Sequence, residues 1–445
     1  RSSRSSARGF VCRKALPDLK GRWIWGVALA SFVLAASTGA YYRFSLITPL
    51  AGVLDNIRHA HSHLMFFSWV TPPLILLLGA DLARRGAKPR GFAAVALLAA
   101  IGGLVSYVPF LQGGYQLTPF AGRLLPISMI ASALNGVVWY VFAALYVWAA
   151  WGVRRDARLR LFDASVALLV ASTVSVVALA YLGATGQMQR PVMLALVDWF
   201  LTLFADGWFG LAVLGLAALH ADPARLARLR AGTLGWLLGA AMLVRSVGRY
   251  YEDTLGASWA TALAGAGGAV AALAWLGLVF LVWRVTSSAT ASPDGTVVTP
   301  PTGVTRALRQ LTLALLLVKG LVELGAATPG LTEFVTQSSL RIFFLHAFLL
   351  GAISFGVIYS MRAQLGEGAF HGAGLFALAV GVMVAALAPL TPLWPRGLGG
   401  LWVLPLAAYT SLLPPAVAAY ALFRLELGSA RTAASPTPPA ATPGQ

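Results

Sequence analysis

Three of the six histidines fall within five residues, in Arg58-His59-Ala60-His61-Ser62-His63-Leu64-Met65-Phe66-Phe67, at the head of an apolar run. A fourth, His346, lies inside a second apolar run, Leu340-Arg341-Ile342-Phe343-Phe344-Leu345-His346. An imidazole left without a partner in hydrocarbon is costly, so each such histidine is a candidate site residue. Two imidazoles on facing helices can grip a haem iron from both sides. An iron held that way passes electrons but has no open position for oxygen.

Helix geometry divides the cluster. At about 100° per residue, His59 and His63 share one face and His61 points about 160° away. Either His61 faces the protein interior or the other two do. A haem also carries two propionates. Arg58 lies three residues toward the surface from His61, and Arg341 five residues from His346. Arg396 is a third candidate, since arginine forks match carboxylates bidentately. The same three arginines could instead be interfacial side chains whose charges snorkel to water.

The elements that must carry these residues are membrane helices. Hydrophobic residues make up 58% of the 445 and charged residues 11%, with mean hydropathy +0.76. Twelve apolar runs recur, at 22–43, 56–82, 91–111, 126–153, 161–184, 191–219, 231–250, 259–284, 305–326, 334–361, 371–390 and 398–423. Each approaches the roughly 20 residues that cross a hydrocarbon core, and only helices satisfy their own backbone at that length. The reading is an all-α, polytopic membrane protein with twelve transmembrane helices.

The net charge of +18 follows the alternation of the runs. With the N-terminus inside, 24 of the 33 Lys and Arg fall on inner segments and eight on the outer side, Arg43, Arg58, Arg123, Arg190, Arg245, Arg249, Arg341 and Arg396. Lys319 lies within a run. That bias places both termini in the cytoplasm of a bacterial-type inner membrane. It also makes anionic lipid, rather than nucleic acid, the expected partner of the basic charge. On this topology the second and tenth runs both travel inward, and His61 and His346 each lie about 13 Å below the outer end of their helix.

The expected domain is 22–427, with a polar linker at 286–303 and disordered tails at 1–21 and 428–445. The one cysteine, Cys12, rules out a disulfide within the chain, and there is no C-x-x-C-H for covalent haem.

Twelve spans with histidines on the second and tenth resemble subunit I of the haem-copper oxidases and nitric oxide reductases. The similarity rests on His61-Ser-His-Leu-Met-Phe-Phe in the second span and on Phe344-Leu345-His346 in the tenth. It implies a subunit-I-like scaffold in which His61 and His346 ligate one low-spin haem, expected to be b-type, with His59 or His63 as substitutes for His61. The family's tenth span carries His-x-His, and here the position of the catalytic-haem ligand is Phe344. Thr202 stands about where a copper histidine is expected, and residues 231–251 contain no histidine. The resemblance therefore implies no copper and no gas-reducing centre. Electron transfer or haem-based sensing follows, with a separate redox chain or quinone as partner.

Other intramembrane polar groups have simpler expectations. Lys319 and Glu323 stand at i, i+4 and should pair. Asp198 and Asp206 could carry protons or accept bonds from Trp and Tyr donors. Glu252 and Asp253 with Arg249 read as a rim cluster. His220 and His371, at inner ends, read as solvated interface histidines. Two alternatives compete with the haem-protein reading. One is an active oxidase or nitric oxide reductase with unusual ligands. The other is a twelve-span secondary transporter, for which the stretch Gly79 to Lys88 resembles the Gly, Asp-Arg and Arg-rich loop of the major facilitator superfamily, with altered spacing.

Overall fold

A computed structural model describes residues 18–120, 122–287, 290, 291, 297, 298, 301, 303–328 and 330–433. The chain is almost wholly helical, and twelve helices are long and apolar enough to cross a membrane. They are span 1 (Trp23–Phe44), span 2 (Leu54–Arg84), span 3 (Phe92–Gly113), span 4 (Ile127–Ala150), span 5 (Ala157–Ala184), span 6 (Arg190–His220), span 7 (Ala231–Leu255), span 8 (Ser258–Ser287), span 9 (Gly303–Ala327), span 10 (Ser338–Leu365), span 11 (Ala373–Leu390) and span 12 (Val403–Leu425). All twelve expected spans are present. The tail boundaries shift, because the first helix begins at Asp18 and the last continues to Ala433. The remainder of both tails lies outside the described residues, as does most of the linker. Within it, Thr290–Ala291 pairs antiparallel with Val297–Val298. A second small hairpin joins Thr118–Phe120 to Arg123–Leu125 between spans 3 and 4.

The spans pack as a triangle inside a ring. Spans 2, 6 and 10 touch one another, and their apolar windows are the most buried, at 78%, 83% and 67%. The other nine close a ring in the order 1, 3, 4, 5, 7, 8, 9, 11, 12 and back to 1. Every fourth span is therefore central, and each central span is followed by an arc of three. Three wedges result, each between two central spans and one arc. Ring spans turn Leu98, Val105, Leu134, Val137, Val177 and Leu273 outward, as lipid contact requires.

Each central span widens to a π-helix partway along, at Met65–Val70, Thr202–Gly210 and His346–Ile353. In span 2 the cause is local. Pro72 and Pro73 lack N–H groups, and their rings would collide with carbonyls one turn back in a regular helix. A widened turn relieves the collision, and Thr71 Oγ1 donates to Phe66 O at 2.8 Å. In span 10 the Ser354 hydroxyl reaches Leu349 O, again five residues back, at 3.2 Å. That hydroxyl also accepts from Trp69 Nε1 at 3.0 Å, linking spans 2 and 10 through a buried hydrogen bond. π-Segments are rare and gather at functional sites. His346 is the first residue of one of them.

Candidate functional site

The first wedge lies between spans 2 and 10 and the arc containing span 1. His61 leaves span 2 about 10 Å below its Leu54 end, and His346 leaves span 10 about 12 Å below its Ser338 end, at 1.5 Å per residue. His61 Nδ1 bonds the Ala35 carbonyl on span 1 at 2.7 Å. His346 Nδ1 bonds the Ile342 carbonyl of its own helix, also at 2.7 Å. A carbonyl can only accept, so in both rings Nδ1 carries the proton. The neutral rings then present Nε2 as a lone pair, the form in which histidine ligates a metal.

Arg43, at the end of span 1, supplies the charge of this wedge. Its Nη2 donates to His346 Nε2 at 3.4 Å, and its field reaches His61. Span 1 makes room for His61 at Gly39. A Cβ there would fall 2.9 Å from Cε1 and 3.1 Å from Nδ1 of the ring. Both imidazoles are half-buried.

His59 and His63 face the other way, as the helical angle requires. His63 Nε2 and the Tyr115 hydroxyl lie 3.1 Å apart, Ser132 Oγ lies 3.4 Å from Nδ1, and the ring rests on Phe110 with centroids 3.8 Å apart. His59 packs edge-on to Tyr115 at 4.5 Å. Arg58 belongs to this face too. It pairs with Asp55 at 3.1 Å with both side chains largely exposed, and does not join the histidine pair. Arg341 is exposed, and the Arg396 side chain lies outside the described residues. The arginine that does reach the histidines is Arg43, which the sequence marked only as an outer-side charge. Its signal was faint. In Tyr41-Tyr42-Arg43-Phe44 it closes an apolar helix, where interfacial arginines are ordinary.

The second wedge, between spans 6 and 10 and the arc of spans 7 to 9, holds an ion cluster. Lys319 Nζ donates to Asp206 at 2.8 Å and to Glu323, and Arg245 donates to Glu323. Lys319 also lies over the Phe348 ring at 5.4 Å. The expected pair of Lys319 and Glu323 is present but is part of a four-residue chain. Asp206 accepts from lysine, not from a Trp or Tyr. Arg245 is an intramembrane partner, not an outer-rim charge. Arg249 pairs with Glu252 at 2.8 Å, as the rim reading has it. The third wedge is filled with rings: Phe67, Trp139 and Phe204 meet at centroid distances of 4.7 to 6.0 Å.

His220 corrects an expectation. It is half-buried at the inner end of span 6, with Nδ1 2.9 Å from the Tyr359 hydroxyl. It is a bonded side chain between spans 6 and 10, not a solvated one. His371 is exposed, as expected. Among the described residues no group of three or more His, Cys, Asp or Glu side chains is arranged to hold a metal ion. No family model matches this chain, and no curated protein matches it.

Proposed function

We propose that this membrane protein holds one low-spin, b-type haem between His61 and His346 and uses it for electron transfer or haem-based sensing. The observation that carries the reading is the matched state of the two rings. Each has Nδ1–H tied to a backbone carbonyl, at Ala35 and Ile342, which leaves both Nε2 atoms unprotonated, that of His346 accepting from Arg43 at 3.4 Å. Backbone carbonyls that fix the tautomer and orientation of a ligating histidine are its usual outer partners.

The residues present fit the group. Gly39 lets span 1 close on the His61 ring and hold it in place, and Arg43 provides a cation beside His346 for a haem propionate. When bound, the iron would supply a one-electron couple, with His61 and His346 the residues that would hold it. The chain's own part is to orient the two imidazoles, to hold Arg43 against the acid groups, and to keep the site inside the apolar bundle. Low surrounding polarity is one of the levers that sets such a couple's potential.

The triangle of spans 2, 6 and 10 within a ring of nine supports a scaffold of the haem-copper oxidase subunit I type, divergent at the catalytic positions. In the wedge next to the histidines, the Asp206, Lys319, Glu323 and Arg245 cluster occupies space between spans 6, 7, 9 and 10. Thr202 and Phe344 supply no imidazole there. The site is assigned to the outer half of the bacterial inner membrane, with both termini cytoplasmic, on the basic-residue bias. The redox partner is then a separate chain or a quinone. The ion cluster favours one second reading, a secondary transporter, since charges inside a bilayer mark ion pathways as well as structural networks.

The test is spectroscopic. Purified protein should show sharp reduced α-bands and no change on adding CO. A high-spin band with CO binding would mean an open iron position and an active reductase. No haem signal after expression with haem supplementation would favour the transporter.

A further inference from the structure

A cavity of about 580 Å³ opens at the opposite end of the bundle from the histidines, between the loop joining spans 2 and 3 and the loop joining spans 4 and 5. Arg85, Lys88, Arg90 and Arg154 line it, and no carboxylate does. Its other large wall residues are Trp148 and Trp151, 60% and 80% exposed. Glycines with positive φ, Gly86 at 83° and Gly152 at 78°, turn the two loops toward each other.

Among the described residues, three of these four charges are not spent on internal pairs. Arg85 is anchored at the cavity wall by Asp81 and Asp156, each at 2.6 Å, and its Nη2 is buried with no hydrogen-bond partner. Burial works against the Arg85 charge, but the bonds and fields of Asp156 and Asp81 outweigh it and hold its pKa above the ordinary arginine value. Lys88, Arg90 and Arg154 are exposed, and among the described residues none of them is in an ion pair. Three free cations thus converge on a single hollow, with the anchored Arg85 in its wall.

Two exposed tryptophans at the end of a membrane helix belong at the level of lipid headgroups, where an indole is half in hydrocarbon and half in water. An occupant at this depth touches acyl chains on one side and cations on the other. Basic pockets between spans near an inner surface suit phosphate-bearing headgroups. We infer that this cavity is a binding site for the phosphate headgroup of an anionic phospholipid, gripped by Arg85, Lys88, Arg90 and Arg154 against Trp148 and Trp151. The site is independent of the haem assignment and lies on other residues.

A cation near an anionic lipid surface contributes about fivefold in affinity, so removing three predicts a loss of about a hundredfold. Native mass spectrometry of the full chain in neutral detergent reads this with added dioleoyl phosphatidylglycerol, dioleoyl phosphatidylcholine or inorganic pyrophosphate. The expected result is saturable phosphatidylglycerol binding that falls about a hundredfold in Lys88→Gln/Arg90→Gln/Arg154→Gln. It should be retained in Arg228→Gln/Arg284→Gln/Arg424→Gln, which removes the same charge elsewhere. Trp151→Ala keeps every charge and should weaken lipid binding without changing pyrophosphate binding. Equal phosphatidylglycerol binding in both triple variants, or equally tight phosphatidylcholine binding, would overturn the site. Pyrophosphate binding as tight as the lipid's would overturn a lipid as its occupant.

Discussion

Gly39→Ala tests whether His61 must keep its present position to hold a ligand. The added Cβ would stand 2.9 Å from His61 Cε1 and 3.1 Å from Nδ1. Carbon contacts are comfortable at about 3.5–4.0 Å, so the ring must retreat by about 0.6 Å or more. It is not free to do so, because Nδ1 is bonded to Ala35 O at 2.7 Å on the same helix as the new methyl. Functional constellations tolerate about 0.5 Å of displacement. Overpacking of this kind costs about 1–3 kcal/mol, while alanine in place of glycine returns up to about 1 kcal/mol of helix propensity. The chain should therefore fold. If the strain falls on the liganded geometry, haem affinity drops about five- to 150-fold, at about 1.4 kcal/mol per tenfold. The assay is haem per polypeptide by pyridine haemochrome, with the reduced α-band as a check on the ligands that remain. Gly26→Ala is the control, on the same helix, where the nearest outside atom to the new Cβ is Leu425 Cδ2 at 3.9 Å. Full haem content and an unshifted α-band in Gly39→Ala would refute the role given to His61.

Three further outcomes follow from the packing. Ser354→Ala removes the acceptor of the buried Trp69 N–H and should cost about 1–3 kcal/mol, seen as a lower melting temperature in detergent with the fold retained. Glu323→Gln removes the carboxylate that Arg245 pairs with and one of the two that Lys319 pairs with, and should destabilise by about 3–5 kcal/mol. The double variant Lys319→Met/Asp206→Asn removes a matched pair and should lose less than Lys319→Met alone, the sign of coupling in a double-mutant cycle. His63→Ala and His220→Ala should keep full haem content by pyridine haemochrome, since their rings bond Tyr115 and Tyr359 on other faces.

What the sequence made legible is what depends on one helix at a time. Apolar length alone locates all twelve spans, because in lipid a segment must satisfy its backbone by itself. The turn angle separates His61 from His59 and His63 without knowledge of any neighbour. The i, i+4 spacing pairs Lys319 with Glu323. What it left hidden depends on which spans meet. Arg43 reaches His346 across 303 residues, Lys319 reaches Asp206 across 113, and Arg245 reaches Glu323 across 78. Arg58 sits three residues from His61, yet it pairs with Asp55 at the exposed end of the span. His220 looked like an interface residue because nothing local reveals that Tyr359 lies opposite. The π-segments are half visible. Pro72 and Pro73 explain the one in span 2, while those in spans 6 and 10 have no comparable mark.

The central claim is that His61 and His346 together grip one iron. Pyridine haemochrome quantitation on wild type, His61→Ala and His346→Ala, purified side by side, addresses it directly. The expected result is about one haem per chain in wild type, and in each variant either loss of the haem or its conversion to a high-spin form. Wild-type haem content with an unchanged low-spin spectrum in either variant would contradict it.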